Sequence, residues 1–198
     1  MNYTIISNNC SGAALYNDIG RQYASPTILL QILPSEYPKF CKNIHEYMAL
    51  EVEEYTDISE AHAEEAFWLL GGNNPYFPMG ILGDIAILFQ HYDSFEQAKA
   101  KWDERKARID LNHMGFIFVL ERENKKAAKE FGDLNLPNSA LFMRDFDVEV
   151  PITHIQYHVP EEMEYLNRSP ETGQRYFEGW FDRQEFFRGI EHDLCNKT

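Results

Sequence analysis

Basic residues are scarce in this sequence: Lys and Arg number 18 against 32 Asp and Glu, which gives a formal net charge of −14 at pH 7. Proteins that hold a nucleic-acid backbone or an anionic lipid surface usually cluster Lys and Arg on one face. We therefore expect no nucleic-acid partner and no binding to anionic membranes. An acidic surface can still enclose a small basic pocket, so an anionic small molecule such as a nucleotide sugar or a sugar phosphate stays open as a partner.

Cysteine and long apolar runs are also scarce. The three cysteines, Cys10, Cys41 and Cys195, have neither the number nor the paired spacing of a disulfide framework or a zinc ribbon. No apolar run approaches the about 18 residues of a membrane span, and the first residues lack the basic start and apolar stretch of a signal peptide. These absences predict reduced thiols, no membrane insertion and a cytoplasmic location.

What is present is a globular composition, 44% hydrophobic and 25% charged, over a length that suits one domain. Strands are predicted at 3–7, 28–32, 84–90, 115–120, 139–143 and 152–159, and helices at 11–19, 35–49, 94–109, 125–131 and 183–194. Segments 51–80 and 160–180 are predicted as loops. Residues 84–120 form the clearest unit, a strand, helix and strand whose default geometry is a parallel pair.

The alternation of strands and helices predicts a single α/β domain over residues 1–198, with a less regular C-terminal extension from about residue 125. The apolar strands 84–90 and 115–120 are nearly continuous, as in strands that helices cover on both faces. We therefore expect a three-layer, Rossmann-like fold with a mixed or mostly parallel sheet between helices.

Several sequence blocks occur in order in the first two thirds of the chain. They are IISNNCSG at 5–12, SPT at 25–27, PMGILGDI at 78–85, HYDSF at 91–95 and WDERKARI at 102–109. Together they resemble the bacterial family called domain of unknown function 1919, over about residues 3–122. The resemblance implies an α/β fold and an association with exopolysaccharide and capsule biosynthesis. It implies no established chemistry and no catalytic residues.

A polar loop at residues 8–12 separates the first predicted strand from the first predicted helix. Free backbone N–H groups and the helix dipole make such a position an anion site, so Asn8, Asn9, Ser11 and Gly12 are predicted to bind a phosphate or a carboxylate. The loop lacks the Lys of a P-loop and the glycine triplet of a dinucleotide fingerprint. The alternative is that Asn and Ser only cap the helix.

A second polar group, His91 and Tyr92, follows the predicted strand 84–90. Ligands collect at the carboxyl ends of parallel strands, so these residues are predicted to face the Asn8 loop across a cleft. His91 offers an acid, a base or a metal ligand near neutral pH. Cys10, at the start of a helix, would be an activated thiol, and His91 would complete a nucleophile and base pair. The alternatives are a His–Tyr packing element and an inert buried cysteine.

Arg105 lies on the predicted helix after His91, as does Arg108. Its guanidinium can place two donors on a phosphate or a carboxylate, so Arg105 joins the predicted ligand-binding residues. The competing and favoured interpretation is a solvated helix face, because charges of both signs alternate around it.

Two patterns suggest metals only weakly. The Asp-x-Asp pair of Asp145 and Asp147 resembles the cation site of many glycosyltransferases, but an acidic chain contains such a pair by chance. His154 and His158 would suit zinc on a helix, whereas the alternating apolar residues around them predict a strand. We predict no metal site, and the sequence identifies no cofactor.

Three functions stay open. The first is a transferase of glycosyl, phosphoryl or acyl groups in exopolysaccharide or capsule biosynthesis, with Cys10 and His91 as its catalytic residues. The second is a non-catalytic binding or scaffolding protein of the same pathway, and the third is a small-molecule hydrolase. No catalytic triad or strong metal motif in the sequence selects among them.

Overall fold

Two four-stranded sheets form the centre of the protein in a computed structural model, which describes residues 3–157, 170–173, 175 and 181–192. The strands are β1 (Thr4–Ser7), β2 (Gln31–Ile32), β3 (Glu53–Glu54), β4 (Met79–Leu82), β5 (Ile85–Leu88), β6 (Met114–Leu120), β7 (Ser139–Arg144) and β8 (Thr153–Tyr157). The helices are α1 (Ser11–Asp18), α2 (Tyr37–Lys42), α3 (Ile44–Tyr47), α4 (Glu60–Leu69), α5 (Phe95–Lys106), α6 (Lys125–Asp133) and α7 (Arg183–His192).

The first sheet is parallel throughout, in the order β1-β6-β7-β8. Its side chains alternate between two hydrophobic clusters, because successive strand residues point to opposite faces. Phe116 and Phe118 of β6 pack with residues of α2, α5 and α6, whereas Ile117 and Val119 pack with residues of α1 and α7. Helices therefore cover both faces of this sheet, and the predicted α/β class is confirmed.

The second sheet is antiparallel, in the order β2-β5-β4-β3. Its centre is a hairpin in which Gly83 and Asp84 form a two-residue turn between β4 and β5. Gly83 has a φ of 65°, the left-handed conformation that such turns require of their first residue. The predicted parallel pair within residues 84–120 is wrong, because β5 folds back on β4 and α5 leads from one sheet to the other.

Asn8 joins the two sheets at the end of β1. Its amide oxygen accepts the Val119 N–H and its amide nitrogen donates to the Val119 carbonyl, both at 2.9 Å. Its own carbonyl accepts the Ile32 N–H of β2 at 2.8 Å. Asn8 is fully buried, so these three hydrogen bonds fix the positions of β1, β6 and β2 relative to one another.

The predicted strand 28–32 shortens to β2, because the chain before it follows a buried loop. The Thr27 hydroxyl accepts the Ser7 N–H at 3.1 Å, which takes the place of a strand-to-strand bond. Leu29 has a φ of 60°, outside the range of a β-strand. The loop therefore lies against the end of β1 without extending the sheet.

The other differences concern boundaries and the segment 51–80. The predicted helix 35–49 is interrupted at Asn43, whose side chain bonds the Lys39 carbonyl, and becomes α2 and α3. Segment 51–80, predicted as loops, contains β3, α4 and β4; Ser59 caps α4 by accepting the His62 N–H. The ends of the predicted strand 152–159 and helix 183–194, together with His158 and Cys195, lie outside the described residues.

Replacing Asn8 by Ala should lower the free energy of unfolding by about 2–5 kcal/mol, because the Val119 N–H and carbonyl would stay buried without partners. Urea unfolding followed by circular dichroism measures the change. Asn74→Ala, at an exposed position, is the control and should change the free energy by less than about 0.5 kcal/mol. Equal stabilities of the two variants would contradict the role assigned to Asn8.

Candidate functional site

Cys10 and His91 meet at the junction of the two sheets. The Cys10 Sγ lies 3.1 Å from the His91 Nε2, although the residues are 81 positions apart in sequence. Cys10 immediately precedes α1, and His91 lies in the turn that follows β5. Cys10 is partly exposed and His91 is exposed, so a small molecule can reach the pair from solvent.

Gly12 allows α1 to begin close to the end of β1. A Cβ at this position would lie 2.6 Å from the Ser7 Oγ and 2.9 Å from the Ile28 Cδ1, distances that real Cβ atoms do not tolerate. The first turn of α1 therefore packs directly on Ser7 and on the loop that contains Ile28. This close packing holds Cys10 at the edge of the sheet.

The N–H groups at the start of α1 are already paired. The Ser11 N–H donates to the Asn9 Oδ1 at 3.1 Å, and the Gly12 N–H donates to the Ser7 Oγ at 3.2 Å. These two N–H groups are therefore bonded within the protein, and the anion site at Asn8, Asn9, Ser11 and Gly12 stays a prediction. Asn8 is likewise bonded within the protein, as described above. The Ser11 Oγ is fully buried and has no hydrogen-bond partner among the described residues.

Tyr92 and Arg105, both predicted site residues, contact each other. The Arg105 Nη1 donates to the Tyr92 hydroxyl at 2.8 Å and to the Ile28 carbonyl at 2.6 Å, and the guanidinium carbon lies 5.3 Å from the centre of the Tyr23 ring. Arg105 is only 7% exposed. The favoured interpretation of a solvated position is wrong for Arg105, because this face of α5 packs on the loop containing Tyr23 and Ile28.

The structure adds little to the two sequence patterns that suggest a metal site. Asp145 lies 3.7 Å from the Arg144 Nε in an ion pair. Within the part of the chain that the structure describes, no group of three or more His, Cys, Asp and Glu side chains could hold a metal ion, so no third such residue joins Cys10 and His91.

The profile of the family described as "Domain of unknown function (DUF1919)" matches residues 1–187. The chain belongs to this family. An uncharacterized protein of Haemophilus influenzae is similar to it, with 24% identity over 200 residues that cover 96% of this chain and 84% of the relative. Neither comparison names an activity, so the chemistry has to be inferred from the residues of the site.

A groove of about 200 Å³ lies at the carboxyl end of β6, between α4 and the loop that leads from β6 to α6. Trp68 lines it with 61% of its surface exposed, and the Arg122 guanidinium carbon lies 5.6 Å from the centre of its ring. None of the predicted site residues lines this groove. No sequence pattern predicted it, because Trp68 lies on a helix within a segment predicted as loops.

A larger cavity of about 620 Å³ lies at the opposite edge of the parallel sheet, where β7 and β8 begin. Ser139 and Thr153, the first residues of these strands, line it together with Phe186 of α7. Parallel α/β sheets bind ligands at the carboxyl ends of their strands. Cys10, directly beyond β1, lies at the carboxyl edge, and we therefore base the candidate site on Cys10 and His91.

A chain of three polar side chains, which the sequence analysis missed, connects α4 to the second sheet. The Tyr55 hydroxyl lies 2.9 Å from the His62 Nδ1, and the His62 Nε2 lies 2.9 Å from a Glu36 carboxylate oxygen. The other Glu36 oxygen accepts the Ala86 N–H of β5 at 2.7 Å. Burial raises the pKa of the Glu36 carboxyl, although the Ala86 N–H and His62 act in the opposite direction. These hydrogen bonds give the three side chains a structural role. The spacing of the three residues in the sequence did not predict their contact.

None of the helices that the structure describes is long and apolar enough to cross a membrane.

The thiol of Cys10 should react with iodoacetamide faster than that of Cys41, which is buried and whose pKa burial raises far above its usual value. Replacing His91 by Ala should slow the Cys10 reaction by at least about tenfold, because Nε2 is the base within reach of the thiol. Mass spectrometry of the two cysteine peptides over time measures both rates. An unchanged rate for Cys10 in the His91 variant would show that the contact does not activate the thiol.

Proposed function

We propose that the protein is an enzyme of acyl transfer, with Cys10 as the nucleophile and His91 as the general acid and base. The single observation that carries the proposal is the 3.1 Å contact between Sγ and Nε2. A thiol and an imidazole at hydrogen-bond distance form the arrangement through which cysteine enzymes build covalent acyl intermediates.

The reaction follows from this geometry in two steps. His91 Nε2 takes the proton of the Cys10 thiol, and the thiolate attacks the carbonyl carbon of the acyl donor. A C–S bond forms, the bond to the leaving group breaks, and the leaving group takes the proton from His91. An acceptor hydroxyl or amine then gives its proton to His91 and attacks the thioester, which releases the acyl product and the Cys10 thiolate, and the thiolate takes the proton back from His91. Water in place of the acceptor makes the same site a hydrolase.

The position of Cys10 supports this role. It directly precedes α1, where the helix dipole favours the negative charge of a thiolate. The adjoining imidazole is exposed, so a substrate can approach the pair without opening the core. Among the glycosyl, phosphoryl and acyl transfers that the sequence leaves open, acyl transfer is the one that uses a thiol nucleophile most directly, through a thioester.

The place of the reaction in exopolysaccharide or capsule biosynthesis is part of this proposal and rests on the resemblance of the sequence blocks alone. In that setting the acceptor would be a saccharide hydroxyl or amine. The non-catalytic alternative, a binding protein of the same pathway, is favoured by a different observation: the Ser11 and Gly12 N–H groups are paired within the protein and offer no ready oxyanion hole.

The test is to incubate the protein with acetyl-CoA and with p-nitrophenyl acetate and to follow acylation by intact-mass spectrometry. The wild-type protein should accumulate an acetyl group on Cys10, and Cys10→Ser should not. His91→Ala should acylate about 10²–10⁴-fold more slowly, which is the usual contribution of a general base. His45→Ala, at an exposed position on α3, is the matched control and should retain the wild-type rate. Acylation that is independent of Cys10, or none with either donor, would favour the binding-protein alternative.

A further inference from the structure

Arg105 carries a buried positive charge that no acidic side chain among the described residues neutralises. It is 7% exposed, and among the described residues it has no ion-pair partner. The nearby acids of α5 are paired elsewhere, Glu104 with Lys101 and Arg108 and Asp103 with Lys99. A buried charge is costly unless it is paired, so the isolated guanidinium requires an explanation.

The hydrogen bonds of Arg105 leave one edge of its guanidinium open. Both protons of Nη1 are used, one by the Ile28 carbonyl and one by the Tyr92 hydroxyl. The Nε proton and the two Nη2 protons have no acceptor among the described residues. Among the described residues, the fully buried side-chain nitrogen and oxygen atoms without a hydrogen-bond partner are the Ser11 Oγ and the Trp102 Nε1. The Nε and Nη2 atoms of Arg105 are therefore not fully buried, and this edge of the guanidinium keeps some contact with solvent.

The open edge is the one that matches an oxyanion. Nε and Nη2 donate in parallel to two oxygens of a carboxylate or a phosphate, which is the strong bidentate geometry of arginine. Nη1, held by Ile28 and Tyr92, keeps the guanidinium fixed in the plane that this geometry needs. The arrangement is therefore organised before any ligand arrives.

The contacts of Arg105 connect it to residues that adjoin the Cys10–His91 pair. Tyr92, which accepts from Arg105, is the residue after His91. Ile28, whose carbonyl accepts from Arg105, packs on the first turn of the helix that Cys10 precedes. One partner of the guanidinium thus follows His91 directly in sequence, and the other packs on the helix that Cys10 precedes.

We propose that the Nε and Nη2 edge of Arg105 binds an oxyanion, a carboxylate or a phosphate, of the molecule on which the Cys10–His91 pair acts. The oxyanion site itself follows from the burial and hydrogen bonds of Arg105, whereas its role in selecting an anionic substrate rests on the proposed function. The substrate class is then an acyl donor or acceptor with an acidic group near the reacting carbonyl.

The first experiment measures binding without turnover. Inorganic phosphate and acetate are titrated in separate arms at constant ionic strength, with chloride as the balancing ion, and the melting temperature is recorded. An anion tenfold above its dissociation constant should raise the melting temperature by about 3–6 °C in the wild-type protein. The arm with the larger effect distinguishes a phosphate from a carboxylate ligand. No rise in either arm overturns the proposal.

Variants assign the effect to the guanidinium. Arg105→Met should abolish the rise, and Arg105→Lys should keep part of it, because a lysine retains the charge without the bidentate geometry. Arg188→Met, the same substitution at an exposed position on α7, is the control for net charge and should behave as the wild type. A rise that persists in Arg105→Met at the wild-type size places the anion elsewhere and overturns the proposal.

A second measurement on the wild-type protein covers the case in which Arg105→Met does not fold. The anion that raises the melting temperature should slow alkylation of Cys10 by iodoacetamide severalfold, since it would occupy the space beside the thiol. Unchanged alkylation at a saturating anion concentration means that the anion lies away from Cys10 and contradicts the shared site.

Cys10→Ser separates this inference from the proposed function. If Cys10→Ser keeps the anion-dependent rise and the wild-type protein is acylated on Cys10, both proposals are supported. If the rise is present but no acyl donor modifies the wild-type protein, the anion site stands and the acyl-transfer function fails. If acylation occurs without any rise, the function stands and the Arg105 site is overturned.

Discussion

The buried amide of Asn8 is the interaction on which the rest of the architecture depends. It pairs with both backbone groups of Val119 in the first sheet, while its own carbonyl accepts the Ile32 N–H of the second sheet. A buried amide that is hydrogen-bonded through both its oxygen and its nitrogen in a low-dielectric surrounding is held more strongly and more selectively than an exposed one. Because Asn8 is the residue after β1, its side chain and its backbone carbonyl together fix the junction of the two sheets and the start of the Cys10 segment.

This junction explains why Cys10 and His91 meet, although Cys10 follows β1 of the first sheet and His91 follows β5 of the second. We expected His91 at the carboxyl edge of one parallel sheet, next to the loop after β1. The structure places β5 in the antiparallel sheet instead, where β2 connects it through Ile32 to the end of β1. The ends of β1 and β5 are therefore close for a different reason, and the 3.1 Å contact is formed across the junction of two sheets.

The sequence predicted the helices and strands that local residue patterns determine. The apolar runs around Ile5 and Phe118 became buried strands, and the helix predicted from residue 94 became α5, with Ser94 as its cap. The local patterns did not determine which strands pair. Gly83 and Asp84 are a known hairpin signal, but a buried apolar run such as β5 is equally compatible with a parallel or an antiparallel neighbour. The position of Arg105 was missed because alternating charge along a helix does not reveal which face packs on a loop distant in sequence.

Charge is organised on two scales in this protein. The whole chain carries a formal net charge of −14 and therefore repels anions. At physiological ionic strength, salt screens this repulsion beyond about 8 Å. Arg105 acts at contact distance, in a less polarisable surrounding where a fixed guanidinium interacts more strongly with an oxyanion than it does in water. Long-range repulsion then lowers the rate at which anions arrive, whereas the contact decides which of them stay. The proposed oxyanion site would thus combine a buried, preorganised cation with an acidic surface, an arrangement that favours a small anion over a nucleic acid, whose many phosphates would meet the acidic surface together.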